Sequence, residues 1–284
     1  MKVLFTGASG FIGRNVVPYL RDKCDLLTPG RHELNLYDEV QVRDYIKDNK
    51  VDLVFHCANP NPIKNAIDHS ETMFEDSIRM FMNLYTAQNL YRMMFSIGSG
   101  AEYDKSKEII QVTEKDEFRS VPYDSYGLAK YTINRLISQS NKQCNLRLFG
   151  CYGPTDHSSK FITHVIRSCL NGESITIRQN CFFDYMQVMD LATAMGFFLY
   201  NKPQYRSYNV CSGKRVSLLA IAETVKLLME SKQEIIILRD GWNREYTASN
   251  ERLLSEFPDW KTTSLEDGIR TQIEYERKVC ETTL

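Results

Sequence analysis

The sequence predicts a doubly wound parallel α/β sheet with a smaller C-terminal lobe interleaved with it. Three observations carry this. Short apolar runs alternate with segments of helical spacing from residue 3 to residue 149. A glycine-rich turn separates the first run from the first helix. After Pro154 the alternation loosens without a linker, repeat or low-complexity segment. The 284 residues carry 35 Lys plus Arg against 36 Asp plus Glu, a formal charge of −1. That balance argues against a nucleic-acid protein built on a basic stripe. A chain of this length buries roughly three-quarters of its unfolded surface and needs no disulfide or metal staple.

The elements follow in order. Val3-Leu4-Phe5 is a buried strand. Residues 11–21 have helical spacing, and Pro18 inside them should kink or shorten the helix. Leu26-Leu27 ends a second strand, 40–47 is an amphipathic helix, and 51–57 is a third strand, apolar throughout as a strand covered on both faces is. A long helix is expected over 72–93, then a strand at 94–97, a helix at 126–138 and a strand at 146–149. Beyond Pro154, helices are expected at 161–170, 190–199 and 218–229, and strands at 174–177 and 234–238. Residues 208–210 are expected to return to the main sheet.

No apolar run approaches the ~18 residues of a membrane span, and the start of the chain lacks the apolar stretch of a signal peptide. The eight cysteines form no C-x-x-C pair and several lie in apolar runs. They read as reduced thiols of a cytoplasmic protein. The five histidines show no metal-ligand spacing with them, so no metal site is expected.

The turn Thr6-Gly7-Ala8-Ser9-Gly10-Phe11-Ile12-Gly13 has the spacing of a dinucleotide phosphate site. Gly7 permits the tight turn, Gly10 lets backbone approach a pyrophosphate, and Gly13 lets helix pack on strand. The free N–H groups at the helix start face the anion. At the end of the second strand, where an NAD site offers an acidic residue to the ribose, this chain has Thr28-Pro29-Gly30-Arg31-His32. Arg31 suits a 2′-phosphate, which favours NADP, with NAD as the alternative cofactor; a solvated loop arginine is the plainer reading.

Tyr126 and Lys130 lie four residues apart, on one face of a helix. An ammonium beside a phenol favours the phenolate and makes it a usable proton donor and acceptor. Ser99 runs off a strand end, where side chains of a parallel sheet face the ligand crevice. These features together resemble the extended short-chain dehydrogenase/reductases, in the NAD-dependent epimerase/dehydratase group that acts on nucleotide sugars. Also matching are 147–154, 183–190, 208–213 and 263–269. The resemblance implies a Rossmann-type domain over 1–152, with returning segments near 181–212, and a substrate lobe made of 153–180 and 213–284.

It also implies roles. Ser99, Tyr126 and Lys130 fall on the catalytic triad. The cofactor set is Gly7, Ser9, Gly10, Phe11, Ile12, Gly13, Arg31, Asn35, Leu36, Ala58, Tyr126 and Lys130. The substrate set is Ser99, Gly100, Tyr126 and Arg244, the last matching more loosely an arginine that holds the substrate diphosphate. The family dimerises through helices matching 72–93 and 126–138, and eight apolar residues set around the first of these suit a partner helix; burial between sheet and lobe is the alternative.

Departures from the family pattern narrow the activity. Gly150 stands where Asn is usual, Phe183 where Arg is, and Ser77 where an Asn supports a relay water. The family's 4,6-dehydratases carry Asp-Glu where this chain has Gly100-Ala101, neither able to move a proton. Its GDP-fucose synthase-like epimerase-reductases carry Cys at the Ala101 position and His in a segment resembling His164-Val165-Ile166. What remains is reduction of a 4-keto group on a nucleotide-linked, 6-deoxy sugar with NADPH. The alternatives are a 4-epimerase with a bound cofactor and, as a different class, a non-catalytic NADP-binding scaffold or sensor.

Overall fold

Six short strands lie side by side and parallel at the centre of the molecule, a computed structural model that describes residues 1–60 and 72–283. The first half of the chain supplies β1 (Lys2–Thr6), α1 (Phe11–Arg21), β2 (Asp25–Leu27), α2 (Glu39–Asn49), β3 (Leu53–His56), α3 (Met73–Thr86), β4 (Met93–Ser99), β5 (Ile109–Val112), α4 (Ser125–Ser138) and β6 (Gln143–Leu148). The second supplies β7 (Gly150–Tyr152), α5 (Phe161–Asn171), β8 (Ile175–Ile177), β9 (Phe182–Phe183), β10 (Tyr185–Gln187), α6 (Val188–Tyr200) and β11 (Ser207–Val210). It ends with β12 (Val216–Ser217), α7 (Leu218–Leu228), β13 (Ile235–Ile237), β14 (Tyr246–Ala248), α8 (Glu251–Glu256) and α9 (Leu265–Thr283).

The sheet order is β11-β6-β4-β3-β1-β2. The chain winds outward from β1 to β2, then crosses back to β3, so the carboxyl ends of β1 and β3 flank the switch point where such sheets bind ligands. Both faces are covered, which is why β1 and β3 read as near-continuous apolar runs, whereas β6 carries the buried polar residues Gln143, Asn145 and Arg147. On one face Phe5, Phe55, Phe95 and Phe198 form a row with successive ring centroids 6.3, 5.4 and 5.1 Å apart, packed with Val16 and Leu20 of α1 and Leu191 and Met195 of α6. On the other, Leu4, Val54 and Met94 pack with Val42 and Ile46 of α2, Phe81 and Leu84 of α3, and Ile133 and Ile137 of α4.

Two expectations are corrected. α1 runs through Pro18 to Arg21 without shortening. The helix expected over 72–93 ends at Thr86. Met93 and Met94 are needed as rungs of β4, paired with Leu53 and Val54 of β3. Tyr91 folds back instead, and its hydroxyl donates to the Leu84 carbonyl at 2.8 Å, one of the carbonyls a helix end leaves unpaired.

The lobe has its own core of Ile162, Val165, Ile166, Ile175, Ile177, Ile221, Val225, Ile269 and Ile273. It is stitched to the sheet twice. β11 returns to pair with β6, as expected from residues 208–210. A second sheet, β12-β9-β14-β5, joins lobe strands to β5 of the first half. The eight cysteines are free thiols. No helix among the described residues is long and apolar enough to cross a membrane.

Candidate active site

The turn after β1 is shaped by steric demands that only glycine meets. Gly7 has φ +80°, and a Cβ there would lie 2.7 Å from the Ala58 nitrogen at the end of β3. A Cβ on Gly13 would lie 2.4 Å from the Ala8 Cα. At Gly10 a Cβ would touch only the Gly7 oxygen, at 3.4 Å, so that side is open. Gly10 is the N-cap of α1, and no side chain caps the helix there. Backbone N–H groups facing an open side at a helix start suit a pyrophosphate. Behind the turn, Thr6 Oγ1 lies 2.9 Å from His56 Nδ1 and accepts the Ala58 N–H at 3.3 Å, which locks the ends of β1 and β3 together. Burial, helped by the charge of Lys130, pushes the His56 imidazole down to about 3 and keeps it neutral.

Arg31 is exposed in the loop after β2 and makes no ion pair among the described residues. Beside it Glu33 accepts the Gly30 N–H at 2.7 Å. Asn35 Oδ1 accepts the Tyr37 N–H, and the Leu36 carbonyl accepts from Asn83 of α3. The loop is therefore braced by its own polar groups, with the Arg31 guanidinium left to solvent.

Ser99, Tyr126 and Lys130 converge at the carboxyl end of β4. Ser99 is the last residue of that strand and caps a single 3₁₀ turn, Gly100–Tyr103. Its Oγ accepts the Ala101 N–H at 3.2 Å, and its own N–H donates to Glu102 Oε1 at 2.9 Å. Tyr126 sits in the first turn of α4, which Asp124 caps by accepting the Gly127 N–H. The Tyr126 ring is buried with Met73 and Ala101. One turn on, Lys130 Nζ donates to the Ile97 carbonyl of β4 at 2.7 Å and lies 5.9 Å from the Tyr126 ring centroid. The lysine thus spans from helix to strand.

The remaining candidates fall in different places. Ser77 is buried in α3, with Oγ 3.7 Å from Met73 Sδ. His164 Nε2 lies 3.2 Å from Thr176 Oγ1 on β8, at the surface of the lobe. Arg244 is exposed on the segment leading into β14. Gly150 is glycine for a steric reason, since a Cβ would lie 2.5 Å from the Asp184 carbonyl oxygen on the approach to β10. Phe183 stacks obliquely on Tyr246, centroids 5.0 Å apart. Gly100 leaves room for two groups: a Cβ would lie 2.6 Å from both Phe149 Cε1 and Tyr246 Oη.

Two parts of this site escaped sequence reasoning. Tyr246, from the far end of the lobe, places its hydroxyl over Gly100, next to Ser99, where a Cβ on Gly100 would lie 2.6 Å from it. Beneath Ser99, the fully buried Arg147 of β6 donates to Glu102 Oε2 at 2.8 Å, Glu117 Oε1 at 3.1 Å, and Tyr103 Oη and Asn209 Oδ1, both at 2.9 Å. Asn145 donates to the same Glu102 carboxylate. A signal for this pair exists in the sequence: an arginine in the middle of a strand covered on both faces demands a buried acid.

A doubly wound sheet with a glycine turn at its switch point, and a Ser, Tyr and Lys gathered one strand away, defines a nucleotide-dependent class of protein. Residues 3–211 match the NAD dependent epimerase/dehydratase family, and the chain belongs to it. It is 26% identical over 280 residues to the ADP-L-glycero-D-manno-heptose-6-epimerase of Brachyspira hyodysenteriae, covering 86% of each chain. It is 25% identical over 308 residues to the GDP-L-colitose synthase of Yersinia pseudotuberculosis, covering 97% of each. The crystal structure of a GDP-L-fucose synthetase from Naegleria fowleri bound to NADP superposes with a TM-score of 0.85 at 17% identity, over 99% of this chain and 94% of that one; it shares the fold.

Proposed function

We propose that this protein reduces the 4-keto group of a nucleotide-linked 6-deoxy sugar, using NADPH. The observation that carries the reading is the pairing of an intact proton-transfer set, Ser99, Tyr126 and Lys130, with an inert neighbour, Gly100-Ala101. A dehydratase needs an acid and a base beside the catalytic hydroxyl. Here that space is filled by Phe149 and Tyr246 packed on a bare Gly100. The relatives give support of a general kind, because those named above are sugar-nucleotide epimerases and synthases.

The cofactor would lie over the Gly7–Gly13 turn, its ribose end towards Arg31, Asn35 and Leu36, and its nicotinamide end past Ala58 towards Tyr126 and Lys130. When bound it supplies the hydride. The chain's own residues handle the proton. Tyr126 gives its phenolic proton to the oxygen on which charge develops. Ser99 donates a hydrogen bond to that oxygen, and Lys130 favours the resulting phenolate. Arg244 is assigned to the substrate diphosphate.

The test is a panel of nucleotide-linked 4-keto-6-deoxy sugars with NADPH in deuterated water. One NADPH is expected to disappear per product, with no enzyme-dependent deuterium at carbons three or five. Conversion of a 4-hydroxy sugar nucleotide to its 4-epimer without net NADPH consumption would replace the reductase by an epimerase.

A further inference from the structure

We propose that Glu102 is a positioning residue for Ser99: its carboxylate accepts the Ser99 N–H and so closes the turn in which Ser99 Oγ accepts the Ala101 N–H, holding the serine hydroxyl as a donor aimed away from the turn. The two residues form a reciprocal capping box around the single 3₁₀ turn Gly100–Tyr103. The Ser99 N–H donates to Glu102 Oε1 at 2.9 Å, and the Ala101 N–H donates to Ser99 Oγ at 3.2 Å. A serine hydroxyl has one proton to give and two acceptor sites. With its acceptor side turned to the Ala101 N–H, the proton points elsewhere before substrate arrives, as electrostatic preorganisation at a developing alkoxide requires.

The surroundings hold the carboxylate to this task. Gly98, inside β4, clears the space for it: a Cβ there would lie 2.4 Å from Glu102 Oε1 and 2.2 Å from Asn145 Oδ1. Arg147 donates to Glu102 Oε2 at 2.8 Å, and Asn145 Nδ2 lies 2.9 Å from Oε2 and 3.2 Å from Oε1. All these partners are N–H donors, so Glu102 works as an acceptor through both oxygens. It does not stand in for the acid and base that Gly100-Ala101 lack. Two residues back along the strand, Lys130 Nζ holds the Ile97 carbonyl at 2.7 Å. The strand end is thus fixed at Ile97 from α4 and at Ser99 from its own turn. Glu102 is buried beneath Ser99, with its side chain 4% exposed, and acts through that residue.

The inference rests on the assignment of Ser99 to the reacting oxygen, not on the direction of the reaction. The experiment is a double-mutant cycle of Glu102→Gln and Ser99→Ala. Glutamine keeps the size of the side chain but offers one acceptor oxygen to donors that now use two. Arg147, the charged donor, takes that oxygen, and the Ser99 N–H is left facing an amide NH₂. Glu102→Gln is expected to lower kcat about tenfold, less than the ~10²–10³ of a direct oxyanion donor, with sugar KM and NADPH Kd changed less than about twofold. In the Ser99→Ala background the same substitution is expected to add less than about twofold. Multiplying losses, a loss seen mainly in KM, or a loss of stability with kcat unchanged would overturn the proposal in favour of a packing role. Should Glu102→Gln fold poorly, Glu102→Leu takes its place in the cycle with the same expected outcomes, since Arg147 keeps Glu117 as an ion partner at 3.1 Å. If the parent proves to be an epimerase the cycle is run on that reaction.

A second arm needs no turnover. In protein labelled with ¹⁵N,¹³C-serine, the Ser99 amide and Cβ resonances are assigned by their loss in Ser99→Ala. Both are expected to move in Glu102→Gln, the amide because its acceptor changes and Cβ because the hydroxyl is released. If either resonance keeps its parent position, the proposal fails whatever the enzyme's substrate.

Discussion

The phosphate turn and the substrate wall lie at neighbouring strand ends and are built in opposite ways. The turn takes most of its parts from one stretch, Gly7 to Gly13, and works through backbone geometry. The wall draws Ser99, Tyr126, Phe149, Phe183 and Tyr246 from five segments and works through side chains. The contrast teaches that the cofactor half is specified locally and should fail one residue at a time. The substrate half is specified by assembly, and damage there should spread.

The largest expected effect isolates chemistry from binding. Tyr126→Phe should lower turnover by about 10²–10⁴-fold, the usual contribution of a positioned proton donor, while cofactor binding stays near the parent value. Lys130→Ala should damage both, because the proposed mechanism has its ammonium serve both halves. Steady-state kinetics with NADPH fluorescence titration checks this. A Tyr126→Phe enzyme with most of its activity would mean another donor.

Next is the support beneath the wall. Arg147→Met leaves the buried Glu102 and the half-buried Glu117 without their cation and should cost about 3–5 kcal/mol of stability, read from the urea midpoint. Adding Glu102→Leu should recover part of that loss, since an apolar pair of similar volume needs no compensation. No recovery would show that Glu102 acts through its hydrogen bond to Ser99 N more than through Arg147.

Arg31→Ala tests the local half. Loss of a charge-assisted phosphate contact is worth roughly 1.5–3 kcal/mol, so NADPH affinity should fall about ten- to a hundredfold with NADH nearly unchanged. Calorimetric titration with both cofactors decides it, and equal affinity of the parent for the two would remove Arg31 from the site. Wall residues should be untouched, with Tyr246→Phe leaving the ratio of cofactor affinities as it was.

The smallest effect concerns the joint behind the turn. The folded protein keeps His56 neutral down to about pH 3, whereas the unfolded chain protonates near 6.5. Between these values the unfolded state binds more protons. The stability contributed by the neutral ring is therefore complete above pH 6.5 and lost as the pH falls towards 3, by at most about 1.4 kcal/mol per pH unit. His56→Asn keeps an acceptor for Thr6 and should flatten that slope between pH 6.5 and 5, measured by denaturation at several pH values. Parallel slopes in parent and variant would place the acid sensitivity elsewhere.

The same contrast explains what could be read from the chain. Gly7, Gly10 and Gly13 announce their geometry because their partners are within a few residues or at the next strand end. Tyr126 and Lys130 announce theirs because a helix sets their spacing. β11 was legible as a returning strand at Tyr208-Asn209-Val210, although Asn209 interrupts its apolar residues. The helix over 72–93 was misjudged because Leu90, Tyr91 and Met93 keep a helical apolar pattern although Met93 belongs to a strand and Tyr91 to a fold-back. Tyr246 was illegible for a different reason. Nothing near it in sequence distinguishes it from the exposed Arg244 two residues earlier, and it reaches Gly100 only through the pairing of β14 with β5 and β9.

That pairing also sets a clock. Gln111 waits for the hydroxyl of Thr247, 136 positions later, before β5 has a neighbour. At the roughly 5–20 residues per second of synthesis, the interval is about seven to twenty-seven seconds. During it the growing chain holds a finished nucleotide turn beside an unfinished pocket. A nucleotide that bound early would tie down β1 and β3 while the last wall strand was still being made.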